Sequence, residues 1–534
     1  MTLICCPIAI DSPSDLSEAL ACANEASEQG ARLIEWRIDG LADDPDAIQV
    51  IEALLEQGPL PAIITCRSTR EGGVWSGDET DRVSLLERIG VSKHPPRYLD
   101  FELADYLRSA NIAQKIDLVV AHDRQTRDVS TGLILSSHDF DGRPRDLTRR
   151  VTDMAMQSSC AISKIVWSAR SLRDNLEAFD LLRDRANPTI ALCMGEFGGM
   201  SRVLAPKFGG FLTFAPLDDD DETAPGQISI RTLKETYRFD AIKASTKVYG
   251  IIGWPVGASW SPSVHNAGFD AINHDGVYVR LPIAPGWEPF KATLGALIDH
   301  DGLDFSGGSV TMPHKEHLVR FVREAGGTLD SVSERCGAAN TLVVGEDGSL
   351  GAINTDAPAA VGCLVEAMEI STSELSGRKV MVLGAGGVAR AVVAGLLEHG
   401  AEVTVVNRTH QRAVELVDDL SDDRLHVGSF SDLEGGGFCA IVNATSVGSP
   451  AGDQPDASPI PDDVSLDDSI TVLDTVYSAM PTPLVIGAMQ NGCRTAAGGS
   501  MFLRQAELQF EIWTGRSAPE GVMTGVLLNS TLGS

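Results

Sequence analysis

Residues 379–409 read KVMVLGAGGVARAVVAGLLEHGAEVTVVNRT. The apolar run 380–383 predicts a buried strand, the glycines a turn, the alanine- and leucine-rich segment a helix, and 403–406 a second strand. Gly384, Gly386 and Ala389 keep the G-x-G-x-x-(G/A) spacing of a dinucleotide-binding turn. Glycines there let the backbone turn tightly and approach a pyrophosphate, which the free N–H groups of the helix start then face. A lone match of this kind is weak, but here the strand before it and the helix after it are both present. Gly384, Ala385, Gly386, Gly387, Val388 and Ala389 are therefore the expected cradle. The second strand ends in Asn407, Arg408 and Thr409, where an NAD site usually carries an acidic residue; an arginine suits the additional phosphate of NADP. This half of the chain is expected to be a redox enzyme using NADP(H).

At 534 residues the chain is too long for one core, and two to four domains are expected. A net charge of -31 argues against nucleic acid or an anionic membrane as a partner. Any anionic substrate must then be gripped by local arginines and lysines against the global field. Ten cysteines without a C-x-x-C pair point to reduced thiols and no zinc site. No basic segment precedes the first apolar run, and no apolar stretch reaches membrane-spanning length. The expectation is a soluble cytoplasmic protein without a metal.

The N-terminal part alternates strand-like and helix-like segments. Strands are predicted at 3–9, 33–37, 62–66, 98–101, 133–137, 162–167, 189–193 and 211–214, with amphipathic runs between them. Eight such repeats match the size of a (β/α)8 barrel, against the competing doubly wound sheet. The segment 104–131 is ambiguous, because 117–121 reads as a possible extra strand. Residues 229–239 read as the last barrel helix, the acidic run 218–222 as a solvated loop over the barrel mouth, and 241–246 as a short linker.

Polar residues favour the barrel. Glu35 and Arg37 fall at the end of the second predicted strand, Arg67, His138, Arg202 and Gln227 at or after the ends of four others, and Lys164 lies within the sixth. Titratable groups converging from many strand ends are the mark of a barrel active site. A lysine inside an apolar strand must also lose hydration, which structure alone seldom demands.

The ordered set EWRID (35–39), CRSTREGG (66–73), SSHDF (136–140), SKIVW (163–167), GMSR (199–202) and TAPGQ (223–227) resembles type I 3-dehydroquinate dehydratase across residues 1–240. The resemblance implies a barrel in which Lys164 forms a covalent imine with the substrate ketone, a desolvated lysine being the better nucleophile. His138 would move the proton of the adjacent C–H, and Glu71 would orient it. Arg202 would pair with the substrate carboxylate. Glu35, Arg37, Arg67, Thr223 and Gln227 would hold the remaining polar groups.

The second half opens at Lys247 with VYGIIG. GASWSPSVHN (257–266), SVTMPHKEH (309–317), GAANT (337–341) and NTD (354–356) precede the nucleotide unit, and NATSVG (443–448), DTVYSAMPTPL (474–484) and GGSMFLRQAELQF (498–510) follow it. Singly these are turn or cap signals. In this order they resemble shikimate dehydrogenase over 247–534. The implied arrangement is an α/β substrate lobe at 247–356, completed by the C-terminal helix 505–534, and a Rossmann NADP-binding lobe at 357–504. The resemblance implies Lys315 and Asp356 as the catalytic pair. Ser259 and Ser261 would bind the substrate carboxylate, with Thr311, Asn340, Tyr477 and Gln505 around the ring. Asn407, Arg408, Thr409, Asn443, Thr445 and Gly498 would complete the cofactor site.

Two departures stand out: Ser309, where bacterial relatives often carry asparagine, and Ala-Pro-Ala-Ala after Asp356 in place of a glycine-containing turn. Together the resemblances imply a bifunctional enzyme converting 3-dehydroquinate through 3-dehydroshikimate to shikimate, as a monomer or weak homodimer. Quinate specificity in the second domain, or a non-catalytic metabolite sensor built from the same modules, are the alternatives.

Overall fold

The computed structural model describes residues 1–121, 130–219, 224–433, 437–450, 452–461, 463–477 and 481–532. The chain divides into two compact units, Met1–Thr246 with Asp299–Gly302, and Lys247–Ile298 with Leu303–Ser534.

In the first unit eight strands run parallel: β1 (Leu3–Ala9), β2 (Leu33–Arg37), β3 (Ala62–Thr65), β4 (Tyr98–Glu102), β5 (Gly132–Asp139), β6 (Cys160–Ser168), β7 (Thr189–Met194) and β8 (Leu212–Phe214). They pair in the order β7-β6-β5-β4-β3-β2-β1-β8. The Phe211 N–H donates to the Thr189 carbonyl at 2.9 Å and brings the two ends together into a nearly closed barrel. Strands β3 and β7 are buried at every position, as parallel strands covered on both faces must be. Cys5, Leu33, Ile63, Ile134, Ile162, Ile190 and Leu212, each from a different strand, pack into one interior cluster.

In this unit one ambiguity is resolved and one expectation fails. Residues 117–121 are not a strand; they end the helix Ala110–Ala121, whose Ile116 and Val119 bury one helical face. The last barrel segment is no regular helix either: it is a π-helical turn at Thr232–Thr236 followed by a 3-10 turn at Phe239–Ala241. Of the acidic run, Asp219 takes hydrogen bonds from the Ser229 N–H (3.0 Å) and the Thr232 hydroxyl (3.4 Å); Asp220, Asp221 and Glu222 lie outside the described residues.

The second unit holds two sheets. One comprises β9 (Lys247–Gly253), β10 (Gly276–Pro282), β11 (Phe305–Val310), β12 (Thr328–Leu329), β13 (Thr341–Val344) and β14 (Leu350–Ile353), in the order β10-β9-β11-β13-β14-β12. The other comprises β15 (Lys379–Leu383), β16 (Glu402–Val406), β17 (Leu425–Val427), β18 (Phe438–Asn443), β19 (Thr471–Asp474) and β20 (Arg494–Ala496). Its order, β17-β16-β15-β18-β19-β20, is that of an all-parallel doubly wound sheet with β15 and β16 flanking the glycine turn. The chain then returns to the first sheet: Phe502, Phe510, Met523 and Leu527 pack with Tyr249, Phe269 and Tyr278. Among the described residues no helix is long and apolar enough to cross a membrane.

Candidate active sites

In a closed parallel barrel, inward side chains stack in layers contributed by alternate strands. One such layer joins Glu35 of β2, Asp100 of β4, Lys164 of β6 and Phe214 of β8. Lys164 Nζ lies 2.8 Å from Asp100 Oδ2, 3.4 Å from Glu35 Oε1 and 4.4 Å from the Phe214 ring centroid. The lysine is 4% exposed, and these two carboxylates compensate the burial of its ammonium. Glu35, Arg37, Arg67, Glu71, His138, Lys164, Arg202 and Gln227 all line one cavity. Thr223 lies outside the described residues.

His138 is the penultimate residue of β5, with its Nδ1 3.0 Å from Glu71 Oε2 and its backbone N–H donating to the same oxygen at 2.9 Å. Burial, together with the Arg67 and Lys164 charges, holds the imidazole well below its ordinary range. Burial also pushes the Glu71 carboxyl up to about 7, against the pull of Arg67. Arg67 donates to Asp100 Oδ1 and to the Ser136 hydroxyl, each at 2.7 Å. Arg37 forms a fork with Asp39 at 2.9 and 3.1 Å.

Sequence reasoning passed over Asp100, Ser136, Glu102 and Arg82. Glu102 accepts from the Ser68 N–H at 2.8 Å and from Arg82 at 2.6 Å, so a buried ladder of alternating charge runs from Lys164 to Arg82. Two acidic residues at period two inside the apolar strand YLDFE were the available signal, since a buried carboxylate demands a cation. Nothing local to Arg82 announces its role.

In the second unit, Lys315 opens the helix Lys315–Glu324, and its Nζ meets Asp356 Oδ2 at 2.5 Å. Asn340 Nδ2 donates to Asp356 Oδ1 at 2.9 Å and approaches Gln505 Oε1 at 3.3 Å. Ser259 and Ser261 sit 3.1 Å apart, hydroxyl to hydroxyl, at the start of the helix Ser261–Ala271. Thr311 follows β11, and its N–H donates to the Ile252 carbonyl. Tyr477 packs on Trp260 and Phe502, with ring centroids 5.4 and 5.0 Å away. Ser309 is committed inside the protein, accepting from the Tyr278 hydroxyl at 2.7 Å and donating to Gln509 Oε1 at 2.6 Å. Ala357–Ala360 of the second departure continue the helix Asp356–Met368 that Asp356 begins.

The nucleotide turn is built for close approach. Gly384 has φ +113°, and a Cβ there would stand 2.8 Å from the Ala444 carbonyl oxygen. Gly386 faces open space at the N-terminus of the helix Gly387–Glu398, where Gly387, Val388 and Ala389 present the first-turn N–H groups. A pyrophosphate fits this cradle. A Cβ on Gly387 would lie 3.5 Å from Lys315 Cδ, so the cradle adjoins the Lys315–Asp356 pair. Ala385 is the remaining residue of the turn, and Arg408 is exposed beyond the end of β16, next to Asn407, whose amide donates to the Thr409 carbonyl. Asn443 is fully buried and ties Thr445 to Asp474, so it shapes the floor of the turn. Gly498 packs against the Val476 carbonyl, leaving no room for a side chain.

These features define a two-module enzyme: a lysine-centred parallel barrel followed by a dinucleotide-binding oxidoreductase. Residues 4–244 match the type I 3-dehydroquinase family, 251–342 the shikimate dehydrogenase substrate-binding domain, 366–446 the shikimate/quinate 5-dehydrogenase family and 500–528 the shikimate 5'-dehydrogenase C-terminal domain. The chain is 34% identical over 536 residues to the chloroplastic bifunctional 3-dehydroquinate dehydratase/shikimate dehydrogenase of Arabidopsis thaliana, covering 97% of this chain and 83% of that one. It belongs to that bifunctional family. The NADP(+) shikimate dehydrogenase of Methanosarcina acetivorans is 36% identical over 297 residues, 53% of this chain and 98% of that one. The solved dehydroquinate dehydratase and shikimate dehydrogenase of S. pombe has a TM-score of 0.41 at 22% identity, over 99% of this chain and 98% of that one.

Proposed function

We propose that the protein catalyses two consecutive steps of the shikimate pathway: dehydration of 3-dehydroquinate to 3-dehydroshikimate in the barrel, then reduction of that ketone to shikimate with NADPH. The observation that carries the reading is the convergence of Lys164, His138 and Arg202 on one cavity in a barrel of this family. Lys164 condenses with the ketone, and the protonated imine withdraws electrons from the adjacent carbon. His138 takes the C–H proton there and returns it to the departing hydroxyl, which leaves as water. Arg202 holds the carboxylate.

In the second unit, NADPH when bound supplies the hydride. Lys315, steadied by Asp356, gives the proton to the carbonyl oxygen as it becomes an alcohol. Ser259 and Ser261 donate to the carboxylate, Asn340 and Gln505 orient the ring, and Arg408 meets the 2′-phosphate of the cofactor. The substrate lobe spans 247–356 with the C-terminal helices, the nucleotide lobe 357–504, and residues 241–246 link the barrel to them. Incubation with 3-dehydroquinate and NADPH is expected to yield shikimate. Lys164→Ala should stop at 3-dehydroquinate, whereas Asp356→Asn should accumulate 3-dehydroshikimate. Failure of wild-type protein to form either product would overturn the reading.

A further inference from the structure

Asp100 touches the reacting nitrogen without lining the substrate cavity. Its side chain has no exposed area. Oδ2 faces Lys164 Nζ at 2.8 Å, and Oδ1 accepts from Arg67 at 2.7 Å and from the Ser136 hydroxyl at 2.6 Å. Of the four side chains in this layer it alone is closed off from substrate: Glu35, Lys164 and Phe214 all border the cavity. A carboxylate so placed does not touch the substrate: one oxygen faces the lysine nitrogen and the other holds Arg67 and Ser136.

We infer that Asp100 is a catalytic counterion: it stays ionised against Nζ and holds the imine in its protonated, electron-withdrawing form. The inference rests on the imine reading of Lys164. The charge balance favours it. A lysine ammonium and a ketone give a protonated imine and water: the C–N bond forms, the C–O bond breaks, and two of the three nitrogen protons leave with the oxygen. One positive charge sits beside Asp100 before and after, so a fixed anion suits both states without reorganisation. When His138 removes the C–H proton, the charge on nitrogen is neutralised, and loss of water restores it.

The surroundings keep Asp100 in that role. Burial opposes its ionisation, but Arg67 and Lys164 outweigh burial and hold the carboxyl well below the usual range. Arg67 is itself braced by Glu102, 3.7 Å away, and Glu102 by Arg82. The titratable and charged groups facing the Lys164–Asp100 pair are Glu35 from β2, Arg67 and Glu71 after β3, Glu102 from β4, His138 from β5 and Cys5 from β1.

The test is Asp100→Asn in the full chain, which keeps the shape and removes the charge. Borohydride is added during turnover of 3-dehydroquinate, and the adduct on Lys164 is quantified by mass spectrometry from pH 6 to 9. The expected result is a trapped fraction at least tenfold below wild type at pH 8. The alkaline limb of the dehydration rate should also move to lower pH by about one unit, the equivalent of that tenfold change. KM for 3-dehydroquinate should stay within threefold, since Asp100 does not line the cavity and Arg67 keeps Glu102 and the amide oxygen of the substituted side chain as partners, and the dehydrogenase of the same chain serves as a folding control. Undiminished trapping with an unmoved alkaline limb overturns the inference, as does equal loss of KM and trapping, which marks a merely structural residue. If Asp100→Asn fails to fold, Asp100→Glu is compared with Asp100→Gln: trapping restored by Glu alone supports the counterion, and equal trapping overturns it. Absence of any Lys164 adduct in wild type instead sinks the imine reading itself.

Discussion

One oxygen of Glu71 accepts the His138 backbone N–H at 2.9 Å and lies 3.0 Å from Nδ1 of the same residue's ring. An ionised Glu71 therefore places the ring proton on Nδ1 and leaves Nε2 bare, the tautomer a general base needs. Glu71 is raised to about 7 by burial, whereas His138 is held well below its ordinary range. The acid limb of dehydration kcat/KM should accordingly fall near pH 7 and report Glu71 rather than the imidazole. Glu71→Gln should flatten that limb. A limb unchanged in the variant would reassign it.

The same shift has a stability consequence. A carboxyl whose folded pKa lies above its unfolded value stabilises the fold at low pH, and that contribution is lost as pH rises from about 4.5 to about 7. Glu71→Gln should therefore raise the melting temperature of the barrel at pH 8 and leave it unchanged at pH 4. Calorimetry at the two pH values checks the sign.

Arg67 is the cation on which Asp100 and Glu102 both depend. Removing one partner of a buried ion network leaves uncompensated charge, at a cost of about 3–5 kcal/mol. Arg67→Met should lower barrel stability by that order in denaturant titration, far more than Arg70→Met, whose side chain is half exposed.

Lys315 and Asp356 act on the oxygen that gains or loses its proton during the redox step. Lys315→Met and Asp356→Asn should each reduce kcat for shikimate oxidation by about 10²–10⁴ while changing KM little, because such residues contribute mainly in the transition state. A dominant KM effect in steady-state assays would make them binders. Both variants should retain full dehydratase activity.

Gly386 and Arg408 separate the two parts of cofactor recognition. Gly386→Val would push a side chain into open space, so the fold should melt normally while all nicotinamide cofactors bind poorly. Arg408→Ala should weaken NADP by about ten- to a hundredfold, the worth of one hydrogen bond to a charged group, and leave NAD unchanged. Titration with both cofactors distinguishes them, and equal losses in Arg408→Ala would overturn its assignment.

Local chemistry made much of this protein legible in the sequence. Mostly apolar runs of four to seven residues located all eight barrel strands, because a parallel strand covered on both faces is predominantly apolar, broken here where Glu35, Asp100, Glu102 and Lys164 form buried ion pairs. The glycine spacing after β15 located the cradle, since only glycine accepts φ +113° beneath the Ala444 carbonyl. Local reading stayed ambiguous where competing signals were short-ranged: 117–121 is an apolar run with two adjacent valines, yet the helical period places Ile116 and Val119 on one buried face.

Tertiary structure decided which of these pieces meet. Asp100 and Lys164 are 64 positions apart, and only the stagger that brings even-numbered strands into one layer sets them 2.8 Å from each other. Lys315 and Asp356 lie on the starts of two helices whose approach depends on the packing of the whole second unit. Ser309 is held between Tyr278 and Gln509, a partnership that crosses 200 positions of chain and that no motif encodes. Periodicity and turn chemistry act over a few residues and can be read in order along the chain. A buried charge finds its partner through packing over the whole domain, and that distance is fixed only when the core closes.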